Sequence, residues 1–200
     1  MIGHSGACGC RQIFLKFWSA FMLHESVPPK KMRLTDQKRH NPVFTRYIPM
    51  SKGFVYLTAV VDVASRLVLA HKVAITLGAC RAKEIIEQAF ARYGKPEIVN
   101  TDQGSQFTAE EFTKAVQNQG CKLSLDGHGA WGDNVFVERL WRSVKYERVY
   151  LMAYDSVGAA RTNIAQTFDW YNSERSHSSL DRVAPAKVYL SLLPKLAEAA

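Results

Sequence analysis

Asn100-Thr101-Asp102-Gln103-Gly104-Ser105-Gln106-Phe107 (residues 100–107) is the stretch that decides the fold. Glu97–Asn100 in front of it reads as a short strand, so Asp102 falls just past a strand's carboxyl end. Ligand sites of open α/β sheets gather at that edge. Gly104 allows a sharp backbone turn there. Taken alone, Asp102 reads more readily as an ordinary turn aspartate.

Working outward, Ala82, Ile85, Ile86, Ala89, Phe90 and Tyr93 recur at steps of three and four, which is one apolar helix face. Gly94 stands at its C-cap and Pro96 stops it. Phe54–Val63 and Leu67–Ile75 are β-branched and aromatic, and the turn Ala64–Ser65–Arg66 joins them as an antiparallel hairpin. Asp62 is placed to hydrogen-bond that turn's backbone. After Phe107, Thr108 with Glu111 spells a capping box for a helix closed by Gly120. Cys121–Leu125 is a further strand, and Gly127, Gly129 and Trp131–Gly132–Asp133 read as a loop. A long helix opens near Asp133 or Asn134, with Val137, Leu140, Trp141 and Val144 as its buried stripe, and a last helix covers Ser156–Trp170. The alternation implies an α/β sheet of mixed strand direction.

The chain has 200 residues, 47% hydrophobic and 22% charged, the profile of a soluble globular domain with a sizeable core. A net charge of +8 and a pI of about 9.4 suit a polyanionic partner, nucleic acid foremost, or a merely basic surface. Cys8, Cys10, Cys80 and Cys121 are too few and scattered for a disulfide framework, which fits a reducing cytoplasm. His4 with Cys8 and Cys10 matches no usual zinc spacing. The apolar run Ile13–Leu23 is short and interrupted by Lys16, and no clear cleavage site follows, so the expectation is neither a secreted nor a membrane-spanning chain.

Glu138 lies on the long helix among Val135, Phe136, Val137, Leu140 and Trp141. It is either a functional acid or half of a helix ion pair with Arg142, four residues on. Arg142 and Lys145 share its face, so a cationic ridge would run beside an acid, or the face is simply solvated. Such a ridge suits a polyphosphate backbone.

Thirty-five residues separate Asp102 from Glu138. With Tyr-Ile-Pro-Met at 47–50, Val-Val-Asp-Val-Ala-Ser-Arg at 60–66, the stretch at 100–107, Asp-Asn-Val-Phe-Val-Glu-Arg-Leu-Trp-Arg-Ser-Val-Lys-Tyr-Glu at 133–147 and Tyr-Asn-Ser-Glu-Arg-Ser-His-Ser-Ser-Leu at 171–180, the chain resembles the DDE transposases of bacterial insertion sequences, in their long-frame product, and the retroviral integrases. The resemblance covers about Arg46 to Leu190. It implies a ribonuclease-H-like mixed five-stranded sheet flanked by helices. It also implies three carboxylates holding two Mg²⁺ (or Mn²⁺) ions, and metal-dependent phosphodiester cleavage and strand transfer in DNA transposition and integration. By position, Asp102 and Glu138 become catalytic metal ligands, and Arg139, Arg142 and Lys145 DNA contacts. Arg175 and His177 fall in the tail motif, for DNA contact or helix packing. The implied partners are DNA (element ends and target) and a second transposase subunit of the same or full-length kind, in the bacterial cytoplasm at the nucleoid.

The first strand departs from the family. Where its pattern runs Trp-Ala-x-Asp-Ile-Thr-Tyr-Ile-Pro, this chain has Asn41-Pro42-Val43-Phe44-Thr45-Arg46, with Phe44 at the acid's position and Asp36 too distant to replace it. Gly132 and Ser176 replace the usual Arg and Pro. Residues 1–45 are therefore expected to be an unmatched segment, disordered or out of frame. The core is expected over 46–190 with a degraded first strand, and a tail over 191–200. Catalysis is expected to be impaired, the alternative being an inactive DNA-binding or subunit-poisoning remnant. A nuclease of RNA–DNA hybrids would share the fold without these motifs. If the departure is a frameshift, the other frames of the encoding DNA contain a Trp-x-x-Asp-Ile-Thr-like peptide; its absence from all of them removes that explanation.

Overall fold

The computed structural model describes residues 40–125 and 131–193. Residues 1–39, the loop 126–130 and the tail beyond 193 lie outside the described residues, and with them Asp36, the His4–Cys8–Cys10 group and the Ile13–Leu23 run. Strands β1 (His40–Pro49), β2 (Phe54–Val61), β3 (Val68–Ala74), β4 (Ile98–Thr101) and β5 (Lys122–Leu125) form one sheet in the order β3-β2-β1-β4-β5. β1–β2 and β2–β3 are antiparallel, whereas β1–β4 and β4–β5 are parallel.

Helices α1 (Ala79–Tyr93), α2 (Ser105–Thr108), α3 (Glu110–Gln117) and α6 (Pro185–Leu192) cover one sheet face. Helices α4 (Trp131–Glu147) and α5 (Val157–Ser173) cover the other. Strand alternation divides the core between them. On β1, Val43 packs toward α1, while Phe44 and Ile48 pack toward α4 and α5. The apolar face of α1 buries Ala82, Ile85, Ile86, Ala89 and Phe90, and the Gly94 N–H bonds to the Phe90 carbonyl at a φ of 79°. Asp62 accepts bonds from the Ser65 N–H (2.8 Å) and hydroxyl (2.5 Å), closing the β2–β3 turn as its sequence suggests. Asn172 of α5 bonds both the N–H and the carbonyl of Val68, fixing that helix over β3.

Four local expectations are corrected. The first strand keeps its whole backbone: β1 pairs with β2 over seven positions and with β4 over four, beginning six residues before Arg46. The change is one of side chains, because strand pairing uses main-chain groups, of which Pro42 and Pro49, paired with Asn100 and Phe54, lack only the N–H. The Thr108–Glu111 capping box does not form. Thr108 ends α2 and its hydroxyl bonds the Ser105 carbonyl, while Glu111 pairs with Lys83 at 3.8 Å. Trp131–Asp133 is helical rather than loop. Gly104 has φ −60°, open to any residue. A Cβ there would sit 2.8 Å from Asp102 Oδ1 and 2.6 Å from Gln106 Nε2, so those side-chain ends would have to shift to admit one.

His71 on β3 stacks against Phe168 of α5, ring centroids 4.8 Å apart. Burial, helped by the Arg92 guanidinium, brings its imidazole down from 6.5 to about 4. The fold thus holds the ring neutral, and the unfolded chain takes up the proton first as pH falls. Its contribution is fully present above pH 6.5 and is lost as pH falls toward about 4. The loss is on the order of 3 kcal/mol. His71→Leu should flatten this part of the stability profile; urea unfolding from neutral pH down to about pH 4.5 reads the slope.

Candidate active site

The parallel register of β1 with β4 sets Pro42 against Asn100 and Val43 against Thr101. The next positions, Phe44 and Asp102, therefore lie side by side where β4 ends. Asn100 and Asp102 share one parity of that strand, and Pro42, Phe44 and Arg46 share one parity of β1, so these side chains can reach the same face. α4 crosses above, presenting Val137 and Glu138. Together they enclose an open cleft of about 330 Å³ lined by Phe44, Arg46, Asn100, Asp102 and Glu138 among others. The structure thus brings the two expected acids to one site.

Asp102 is held by its own turn, its Oδ1 accepting the Gly104 N–H at 2.9 Å. Its Oδ2 stands 3.9 Å from Arg46 Nη1, both side chains being more than a third exposed. Such a pair is screened and weak, but it puts a fixed positive charge beside the carboxylate. Asn100 Oδ1 and Thr101 Oγ1 are buried without a hydrogen-bond partner and belong to the same cleft. Phe44 turns its ring edge-on to Trp141 of α4, centroids 5.8 Å apart, filling with hydrocarbon the place where a third acid was expected.

No ion pair forms between Glu138 and Arg142 among the described residues. Arg142 lies instead with its guanidinium carbon 6.0 Å from the centroid of the Tyr146 ring. Glu138 is thereby exposed and free to face the cleft. Arg142 and Lys145 follow it along the helix face, as their spacing requires.

Arg139, Arg175 and His177 lie elsewhere. They line a second, smaller cavity with Arg66, Ser143 and Ser179. Arg175 grips Glu147 at the end of α4 with both terminal nitrogens, which holds the Glu147 carboxyl below its ordinary range, and lies over Trp170. His177 packs edge-on to Tyr171, and burial together with Arg175, Arg66 and Arg139 holds its imidazole below the usual range.

Sequence reasoning missed Arg46 and Asn100 at the cleft. Two-residue parity with Phe44 and with Asp102 was the available signal. It also missed Arg66 at the second cavity, which no local spacing connects to residues a hundred positions later.

The cleft's donor set suits one hard cation. Mg²⁺ is commonly held by one or two carboxylates, with water and substrate phosphate completing its shell. Asp102 and Glu138 with the unpartnered Asn100 oxygen fit that pattern. They do not fit two ions, and among the described residues no group of three metal-binding side chains occurs.

Two models of the integrase core domain match the chain, over residues 43–129 and 119–185. The transposase for insertion sequence element IS904 of Lactococcus lactis subsp. lactis (strain IL1403) is 28% identical over 142 residues, 70% of this chain and 56% of that protein. Transposase InsF for insertion sequence IS3A of Escherichia coli (strain K12) is 26% identical over 142 residues, 70% of this chain and 49% of that protein. The chain thus spans about half the length of the curated relatives it matches. The HTLV-2 integrase catalytic core domain, solved in complex with magnesium in a dimeric form, superposes with a TM-score of 0.61 at 18% identity, over 78% of this chain and 99% of that one. The catalytic core domain of BIV integrase gives 0.59 at 21% identity, over 75% and 93%. These likenesses establish a ribonuclease-H-like fold.

Gly104→Ala should push the Asp102 carboxylate aside and weaken uptake of Mn²⁺ by roughly tenfold, an effect of the size seen when a ligand's support is lost. The melting temperature should move by only about 2–4 °C. Calorimetric Mn²⁺ titration and thermal melts of the variant read the two effects separately.

Proposed function

We propose, for a chain that belongs to the integrase-core family of insertion-sequence DDE transposases, that its acidic cleft takes one divalent cation over a DNA phosphate. We propose also that cleavage and strand transfer in DNA transposition and integration are impaired in it. The convergence of Asp102 and Glu138 on one cleft, with Phe44 as its third wall, is the observation that carries both statements. In the intact site implied by the family, a pair of Mg²⁺ or Mn²⁺ ions supplies an activated water or 3′-hydroxyl and stabilises the departing oxygen.

This chain's own residues do less. Asp102 and Glu138 offer carboxylate oxygens, and Phe44 offers none. The Arg46 charge beside Asp102 opposes a second positive charge at that oxygen. Arg142 and Lys145, along the helix from Glu138, hold the DNA backbone by phosphate contacts that carry no sequence information. DNA as partner places the protein in the bacterial cytoplasm, at the nucleoid. No helix among the described residues is long and apolar enough to cross a membrane.

A second reading is favoured by the complete backbone of β1. A core that folds and binds DNA with a defective cleft can join a full-length transposase subunit and poison the assembly. Strand transfer distinguishes the two when purified chain is added to active transposase.

Calorimetry with Mn²⁺ should show a single weak site, reduced by roughly tenfold or more in Asp102→Asn and in Glu138→Gln. Failure of Mn²⁺ to bind removes the cation reading. Assayed with Mg²⁺ on the ends of the matching element, the unmodified chain should give little or no joined product; efficient joining would show that two carboxylates suffice.

A further inference from the structure

We infer that Arg46 is an internal counter-ion of the acidic cleft, a displaceable guanidinium that closes Asp102 against a divalent cation and has to swing away before the cation enters. This rests on the reading of the cleft as a cation site, and adds what regulates that site.

Asp102 offers its two oxygens unequally. Oδ1 already accepts the Gly104 N–H at 2.9 Å. Oδ2 is therefore the more open oxygen, and it is the one that Arg46 Nη1 faces at 3.9 Å. The guanidinium is not adrift there. Nη1 also donates to the Thr45 carbonyl at 3.1 Å, which ties the side chain to its own strand, at the wall of the cleft.

The charges of the lining point the same way. Asp102 and Glu138 bring a carboxylate each, and Arg46 is the one cation that lines the cleft beside them among the described residues. With the guanidinium in place, half of that negative charge is already matched. With it turned out to solvent, the two carboxylates together match the charge of a divalent ion. A guanidinium a few ångströms away repels a divalent ion twice as strongly as a monovalent one. Turning it out costs little, because both partners are more than a third exposed and such pairs are weak. The arm thus blocks the site without locking it. Phe44 offers no oxygen, which no movement can change, whereas the handicap that Arg46 imposes is lifted by rotating one side chain.

Calorimetric Mn²⁺ titration of the full chain tests this. Arg46→Gln, which loses the charge, should bind Mn²⁺ roughly tenfold more tightly than the unmodified chain. Arg46→Lys, which keeps the charge, should stay within about threefold of it. Lys187→Gln removes an exposed cation of α6 that does not line the cleft, and should leave the affinity unchanged. Thermal melts without metal confirm that each variant folds. Equal affinity in Arg46→Gln and the unmodified chain overturns the inference and leaves the cation reading standing. So does an equal gain in Arg46→Lys or in Lys187→Gln, which would trace the gain to side-chain shape or to net charge. Binding by Arg46→Gln alone would sink the cation reading for the unmodified chain and support Arg46 as the reason. Binding by neither sinks both.

Discussion

The parallel pairing of β1 with β4 is the constraint on which the rest of the molecule depends. Four residue pairs join the two strands, and they sit in the middle of the sheet with antiparallel strands on one side and a parallel strand on the other. That register puts Phe44 beside Asp102 and sets the level at which α4 must cross. A slip of one residue would turn Phe44 and Ile48 to the opposite face and take Val43 out of the core beneath α1. The buried side chains on both faces oppose that slip more strongly than any local preference does.

A backbone so over-determined tolerates the replacement of an acid by phenylalanine. Phe44 is 4% exposed and adds apolar area against Trp141, which favours folding. Site acids commonly cost stability, because like charges are held close and partly desolvated. Here hydrocarbon stands where a third acid was expected, and a guanidinium stands 3.9 Å from the Asp102 carboxylate. The fold keeps its shape with hydrocarbon at that position of β1.

Much of this was legible beforehand, for identifiable reasons. The helix α1 and strands β2 and β3 have uninterrupted apolar periods, and their limits were read within a few residues. Asp102 and Glu138 were legible through their spacing and surrounding words. The first strand is masked in sequence by its altered side chains, although Val43, Phe44 and Ile48 fit a sheet buried on both faces. The capping box failed because two short helices meet at Ala109, leaving Thr108 as a last residue instead of a cap. Arg46 and Arg66 escaped because their roles arise from neighbours distant in sequence.

The position of Arg175 and His177 follows from the geometry of α4 rather than from the tail motif itself. On a helix of 3.6 residues per turn, Glu138, Arg142 and Lys145 form one stripe, and Arg139 and Ser143 form the next. Glu138 of the first stripe lines the cleft beside β4, and the second stripe faces the chain that returns after α5. Arg175 reaches Glu147 at the end of α4 and lies on Trp170, while His177 leans on Tyr171, so the tail is fastened to α4 and α5 together. A tail fastened in that way cannot also reach over to the acidic stripe. Arg175 and His177 lie beside the second stripe, so that α4 carries an acid-bearing face toward the cleft and a guanidinium-lined one toward the smaller cavity.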